Sequence, residues 1–289
     1  MTRRTFAIVS LILVTGIWGS AFTVTKAAAL PPALLALLRF GLASLVLLPL
    51  ALARRSPTAR PIRGAREWLI VATMGLCGFT LFQAGANYAL AYTTATQGSL
   101  IQSVIPVATM ALALLVLNER PTVRRIAGIV LSLLGVAVLV LAAAPSEHAS
   151  NPLLGGAIML GSVLMWAAYT VLAKQLVGVD MLAVTAYSSI FGTLFLVPLA
   201  LAESYGQAPP AISPQGWLAV LYLGLLSSAV ANLVYNRALT LLDASQAAAF
   251  INLVPIIGVV VAVAFLGEPI LPLQLAGGAV ALVGVWLAT

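Results

Sequence analysis

The chain divides into ten apolar runs, each close to the roughly 20 residues that a helix needs to cross a bilayer. They lie near 6–27, 32–53, 67–91, 95–117, 122–143, 152–176, 181–202, 215–239, 244–266 and 270–288. The separators are short and built on proline or charge, such as Leu30-Pro31-Pro32, Glu119-Arg120-Pro121 and Ala208-Pro209-Pro210. Composition agrees: 62% of residues are hydrophobic and 7% are charged, against about 25% charged in soluble domains. Fourteen basic and seven acidic side chains cannot cover a soluble surface of 289 residues. A soluble enzyme, a nucleic-acid-binding domain and a disordered chain are excluded. The expected fold class is an all-α integral membrane protein with ten transmembrane helices. Prolines at depth (Pro49, Pro106, Pro198, Pro255) fit such helices where neighbours satisfy the freed carbonyls. Arg3 and Arg4 before the first run, and Ala27-Ala28-Ala29 after it, imitate a signal peptide. That run exceeds the usual apolar length of about 7–15 residues, so it is expected to be retained.

Charge predicts direction. With the N-terminus inside, cytoplasmic segments hold Arg3, Arg4, Arg54, Arg55, Arg60, Arg63, Arg66, Arg120, Arg124, Arg125, Lys174 and Arg237, twelve of the fourteen basic residues. Lys26 falls on the outer side and Arg39 within the second span. This asymmetry predicts a multi-pass inner-membrane protein with both termini cytoplasmic. The formal charge of +7 therefore reflects topology rather than nucleic-acid binding. Cys77 lies alone in an apolar run and His148 alone in a polar loop, so neither a disulfide nor a metal site can be assembled. No cofactor is expected.

The second half repeats the first. At a shift of 149 residues, Asn87-Tyr88-Ala89-Leu90 falls on Asn236-Arg237-Ala238-Leu239, Ala95-Thr96-Gln97 on Ala244-Ser245-Gln246, Pro106 on Pro255, Glu119 on Glu268, Gly128 on Gly277 and Gly135 on Gly284. Earlier in each half the shift is 148, pairing Trp18 with Trp166 and Lys26 with Lys174. The expected domains are two five-helix repeats, 1–145 and 146–289. Five is odd, so the halves should lie inverted in the membrane. Inverted repeats give secondary transporters two related states and a substrate site near the midplane.

Gly16-Ile17-Trp18-Gly19-Ser20-Ala21-Phe22 with Lys26, Leu38-Arg39-Phe40, and the pair Leu117-Asn118-Glu119-Arg120 and Leu266-Gly267-Glu268-Pro269 resemble the EamA-type domains of the drug/metabolite transporter superfamily. The resemblance spans the chain as two tandem domains. It implies ten helices with both ends cytoplasmic, spans 1–4 and 6–9 around a central cavity, and spans 5 and 10 outside. It also implies export of amino acids, other metabolites or drugs, or movement of nucleotide sugars and sugar phosphates, with the aromatic amino-acid exporters nearest. The halves differ at Trp166-Ala167-Ala168-Tyr169 against Trp18-Gly19-Ser20-Ala21, so the cavity need not be symmetric.

Candidate site residues are polar or aromatic side chains at depth. Thr15, Trp18, Gly19, Phe22 and Lys26 share one face of span 1, with Trp166 and Tyr169 as a partial equivalent in span 6. Phe79, Gln83 and Asn87 recur every four residues in span 3, as do Ser228, Asn232 and Asn236 in span 8. Each set suits a cavity wall or interhelical packing alike. Asn87 and Asn236, nearer the helix ends, can be structural. In spans 4 and 9, Ser99, Gln102, Ser103 and Pro106 face the same way as Asn252 and Pro255, and the prolines can bend the helices for gating. Arg39 lies about 10 Å from the outer helix end at a rise of 1.5 Å per residue. It can bind a substrate carboxylate together with Lys26, or pair with Glu268. Tyr187, aligned with Arg39 at a shift of 148, is expected to face the same cavity.

All seven acidic residues lie at or beyond predicted helix ends, so no carboxylate at depth is available for proton coupling. Facilitated diffusion or exchange is the simple expectation. The partners are a small-molecule substrate and the lipid bilayer. An exporter of amino acids, aromatic ones included, leads. A multidrug exporter or another metabolite carrier is the alternative, and an embedded enzyme lacks any reactive constellation.

Overall fold

The structure is a computed structural model describing residues 3–53, 59–117, 122–142, 149–176, 178–206, 210–238 and 253–288. Glu119, Glu147, His148, Asp243, Ala244-Ser245-Gln246 and Asn252 lie outside these residues. Eleven helical elements are present among the described residues: α1 (Arg3–Ala27), α2 (Pro32–Ala53), α3 (Gly64–Tyr92), α4 (Ala95–Gln102), α5 (Ile105–Leu117), α6 (Val123–Leu141), α7 (Pro152–Lys174), α8 (Met181–Glu203), α9 (Pro214–Ala238), α10 (Leu253–Leu266) and α11 (Pro272–Ala288). No strand occurs among them, only a single bridge between Arg60 and Val179. Six helices are long and apolar enough to cross a membrane, and three shorter apolar helices accompany them.

Helix starts follow their capping residues. Asn151 Oδ1 accepts from Leu154 N at 3.1 Å ahead of Pro152. Asp180 Oδ1 accepts from Leu182 N at 3.0 Å. Ser213 Oγ accepts from Gly216 N at 3.0 Å ahead of Pro214. Each oxygen satisfies an amide that the helix itself cannot.

Two features depart from the uniform runs of the sequence. The run 95–117 is broken at Ser103-Val104, where Ser103 N and Val104 N bond to Leu100 O and Ile101 O, three residues back. Pro106, just beyond, has no N–H with which to continue the α-helical ladder. Secondly, α3 and α9 each contain a π-helical stretch, Gly75–Leu81 and Tyr222–Val230. Their five-residue bonds, Phe82 N to Cys77 O and Ala231 N to Leu226 O, lie 149 residues apart.

The usual sorting of side chains is reversed. Leu45, Phe265 and Trp286 are 74%, 78% and 69% exposed, whereas Arg39, Gln83, Asn87, Asn232, Asn236 and Glu268 are buried. Apolar side chains on the outside suit a lipid solvent, and the chain is a multi-pass membrane protein.

Packing is reciprocal between the halves. α2 packs on α8; α1 packs on α9 and α10, and α7 on α3 and α5. A Cβ on Gly224 would meet Arg39 O and Leu42, and one on Gly75 would meet Ser188 O and Phe191, each contact 149 residues from its counterpart. α6 and α11 pack together along their length. There Gly135 lies against the Ala281 backbone and Gly284 against that of Ser132, leaving no room for a side chain at either glycine.

Candidate functional site

A cavity of about 720 Å³, counting the space that opens to solvent, lies among α1, α2, α3, the α4–α5 break, α7, α9 and α10. Helical spacing places Trp18, Ala21, Phe22 and Thr25 of α1 on its wall. α3 contributes Gly78, Phe82, Gln83, Ala86, Asn87 and Leu90. The proline-preceding residues Ile105 and Val254, 149 apart, line it from opposite halves. Gln102, Trp166, Ser227 and Asn232 complete the polar and aromatic surface with Arg39 and Phe40.

The aromatic side is a connected cluster. Trp166 meets Trp18 edge-on at 5.9 Å, Phe82 at 4.8 Å and Tyr169 in a stack at 5.0 Å. Phe79 packs behind, 5.4 Å from Tyr169 and 4.9 Å from Phe40. Such offset and edge contacts are favourable ring geometries.

Arg39 is 5% exposed and lines the cavity. Its Nε donates to Ser228 Oγ at 2.9 Å and its Nη2 to Ser227 Oγ at 3.1 Å. Both serines belong to the π-helical stretch of α9. Ser227 O also accepts from Trp18 Nε1 at 3.1 Å, tying the cation and the indole to one turn. Among the described residues no carboxylate pairs with Arg39.

Glu268 has a different partner from the one the sequence offered. Its Oε1 lies 3.4 Å from Lys26 Nζ, and its two oxygens accept from Ala95 N at 2.8 Å and Thr96 N at 2.9 Å. The carboxylate thus caps α4, where the positive end of the helix dipole favours an anion. Lys26 Nζ donates to Thr93 O at 2.7 Å. The pair joins the ends of α1, α3, α4 and α10 and stands outside the cavity wall.

The amides form a directed chain. Asn87 Nδ2 donates to Pro32 O at 3.0 Å, and a carbonyl can only accept, so Asn87 Oδ1 points the other way. Gln83 Nε2 donates to that Oδ1 at 2.9 Å. Asn232 Nδ2 donates to Ser228 O at 2.8 Å. Gln83 Oε1 and Asn232 Oδ1 therefore remain as acceptors, without a protein donor among the described residues.

Of the residues singled out from sequence, Trp18, Phe22, Arg39, Gln83, Asn87, Gln102, Trp166 and Asn232 line the cavity. Lys26, Phe79, Tyr169 and Tyr187 do not. Lys26 is held at the helix end by Glu268 and Thr93. Phe79 and Tyr169 form the layer behind the wall, where Tyr169 Oη accepts from Asn236 Nδ2 at 3.3 Å. Tyr187 packs on Trp68 at 4.9 Å, away from the site. Its alignment with Arg39 was one residue out of register: the contacts at Gly75 and Gly224 make Ser188 the equivalent of Arg39 in the other half. Pro106 stands just after the break between α4 and α5, and Pro255 is buried in the first turn of α10. Phe82 and Ser227 are wall residues that sequence reasoning missed. The signal for Ser227 was its place beside Ser228 at a repeat-equivalent position.

Comparison with known proteins gives the setting. The model of the EamA-like transporter family matches twice, at residues 5–141 and 153–289. An uncharacterized transporter of Archaeoglobus fulgidus is 33% identical over 100% of this chain and 98% of its own. A probable terminal-alkyne amino-acid exporter of Streptantibioticus cattleyicolor is 32% identical over 94% of this chain and 92% of its own. The uncharacterized transporter YyaM of Bacillus subtilis is 28% identical over 87% of this chain and 82% of its own. A protein crystal structure with 20% identity superposes with a TM-score of 0.68 over 99% of this chain and 96% of its own, which shows a shared fold. These relationships indicate a transporter rather than an enzyme. With two copies of the family's domain in tandem along its length, the chain belongs to the EamA-like transporter family.

Proposed function

We propose that this protein is a secondary transporter that exports small amino acids with apolar or aromatic side chains across the inner membrane by alternating access. The observation that carries the reading is Arg39: a buried cation in an aromatic-walled cavity, bound to two serine hydroxyls and to no carboxylate among the described residues. Burying an arginine is costly unless it is paired, and a carboxylate substrate supplies the missing charge. The exporter of terminal-alkyne amino acids among the relatives supports the same class. A carrier of cationic drugs would gain from a cavity acid, and none lines this cavity among the described residues. A carrier of phosphorylated sugars would gain from several cavity cations, and among the described residues Arg39 alone serves there.

Ten spans in two inverted halves, with both termini cytoplasmic, form the proposed layout. The reciprocal packing of the halves supports it. So do bonds between helix ends assigned to one side. Ala33 N and Leu34 N bond to Glu203, Ala95 N bonds to Glu268 and Asn151 N bonds to Tyr92 O at the proposed outer face. Arg60 N bonds to Gly178 O at the proposed inner face.

Counterflow in proteoliposomes tests the function. Labelled phenylalanine outside should exchange against unlabelled apolar amino acids inside. Exchange driven only by lipophilic cations or phosphorylated sugars would sink the amino-acid reading.

A further inference from the structure

We infer that Glu203 and Glu268 form a latch between the two halves that holds the outer side of the cavity shut in this structure and parts when the protein opens outward. The inference rests on the proposed layout of the halves and deepens it. The first turn of a helix has amides that the helix itself cannot bond. In α7, α8 and α9 of the second half, Asn151, Asp180 and Ser213 each serve one such amide from within that half. Two helices of the first half are served from the second. Pro32 has no N–H. The next two amides of α2, Ala33 N and Leu34 N, both bond to Glu203 Oε2 at 3.0 Å, and Leu35 N bonds to Pro31 O. In α4, Thr94 takes Gln97 N and Gly98 N, and the two amides before them go to Glu268. Each carboxylate thus completes the first turn of a helix in the other half, at the positive end of that helix's dipole.

Both acids stand at helix ends. Glu203 is the last residue of α8. Glu268 follows α10 across Gly267, whose φ of 63° ends that helix in the left-handed region. Tyr88 of α3 also bonds to Glu203 through its hydroxyl, and Lys26 of α1 pairs with Glu268. So α1, α2, α3 and α4 are each tied, near the proposed outer face, to an acid of the second half. The cavity begins just inward of these ties. Its wall residue Thr25 precedes Lys26, and its wall residue Asn87 bonds to Pro32 O beside Ala33. Ala33, Ala95 and Thr96 are 0% exposed, so the helix ends are packed shut over the cavity there. Placement at a membrane surface makes the ties reversible. When the halves part on that side, outer water can take over both the carboxylates and the freed amides. The same bonds at the bilayer midplane would have no such replacement.

The test is the sidedness of labelling, which needs no substrate. The full chain carries Ala86→Cys on the cavity wall and Cys77→Ser, and an impermeant thiol reagent is applied to either side of sealed membranes of known orientation. Glu203→Gln combined with Glu268→Gln removes both charges and one acceptor oxygen from each tie, and keeps side-chain size. Labelling from the outer side should rise about tenfold or more, the scale of one hydrogen bond to a charged group. Labelling from the inner side should fall. Ser213→Ala is the control, a cap lost at the same face but within one half. It should lower the melting temperature and leave the sidedness unchanged. Where the double variant is not monodisperse in detergent, Glu203→Gln alone carries the test, because Glu203 is only half-buried. Labelling that rises from neither side in a variant with full helical content, or that rises equally in Ser213→Ala, overturns the latch and leaves the amino-acid reading intact. A rise from the inner side alone keeps the latch and overturns the proposed orientation of the termini. A rise from the outer side in a protein that exchanges no amino acid keeps the latch and overturns the proposed substrate.

Discussion

Arg39 and Glu268 show how charge is handled at the level of single residues. Both are buried, and each is served by different chemistry: serine hydroxyls on one, backbone amides and Lys26 on the other. Arg39→Gln should lower the apparent affinity for phenylalanine about tenfold to a hundredfold, the scale of one hydrogen bond to a charged group. Arg39→Lys should recover only part of it, since an ammonium lacks the planar fork. Competition by unlabelled substrate reads both. Glu268→Gln should leave Lys26 without its counter-charge and weaken the cap of α4. The loss of stability should be about 2–4 kcal/mol, seen as a lower melting temperature in detergent. The depth of Arg39 and the amides at four-residue spacing were legible in the sequence. The partner of Glu268 was not, because Lys26 lies 242 residues away and only the fold brings it near. Phe79 fell behind the wall for a simpler reason. It lies in the π-helical stretch, which changes the facing of α3, and a spacing rule based on regular turns cannot show that.

Among the elements, α9 and the α6–α11 pair make the sharpest cases. The π-helical stretch of α9 carries both serines that hold Arg39, and Asn232 follows it. Deleting Leu226 should restore a regular helix and turn the two sides of the stretch about 100° relative to each other, at 3.6 residues per turn. Ser228 and Asn232 then cannot keep their present partners together. Exchange should be lost with helical content by circular dichroism unchanged, and full activity in the deletion would show that the stretch has no part in the site. Gly284→Val should push α6 and α11 apart, since the Ser132 backbone occupies the space of its side chain. Overpacking of this kind costs about 1–3 kcal/mol or more, again read as thermal stability in detergent. The sequence located most helices to within a few residues, and α2 at 32–53 is the same in both. It missed the break at Ser103-Val104 because Gln102 and Ser103, polar within an apolar run, fit a cavity wall as well as a break.

For the whole molecule, the two matches to one domain and the reciprocal packing support the proposed alternation of the halves. The repeat was legible because Asn87 and Asn236, Pro106 and Pro255, and Gly135 and Gly284 occupy equal offsets. The difference between the halves at Trp18-Gly19-Ser20-Ala21 and Trp166-Ala167-Ala168-Tyr169 was legible, and Arg39 bound to Ser227 and Ser228, with Ser188 at its equivalent position in the other half, is a second asymmetry. Among the described residues Glu268 is the buried acid, and it is occupied by Lys26 and the α4 amides. An imposed pH gradient should therefore not drive accumulation of substrate, and accumulation that follows the gradient would contradict simple exchange. The most direct test is access to the cavity from the two sides of the membrane. Ala86, small and on the cavity wall, is replaced by cysteine in a chain whose single native thiol, Cys77, is replaced by serine. Alternating access predicts that an impermeant thiol reagent labels this position from either side of sealed proteoliposomes, and that phenylalanine slows labelling from both. Labelling from one side only, unaffected by phenylalanine in a protein that still exchanges it, would contradict the cavity as the substrate path.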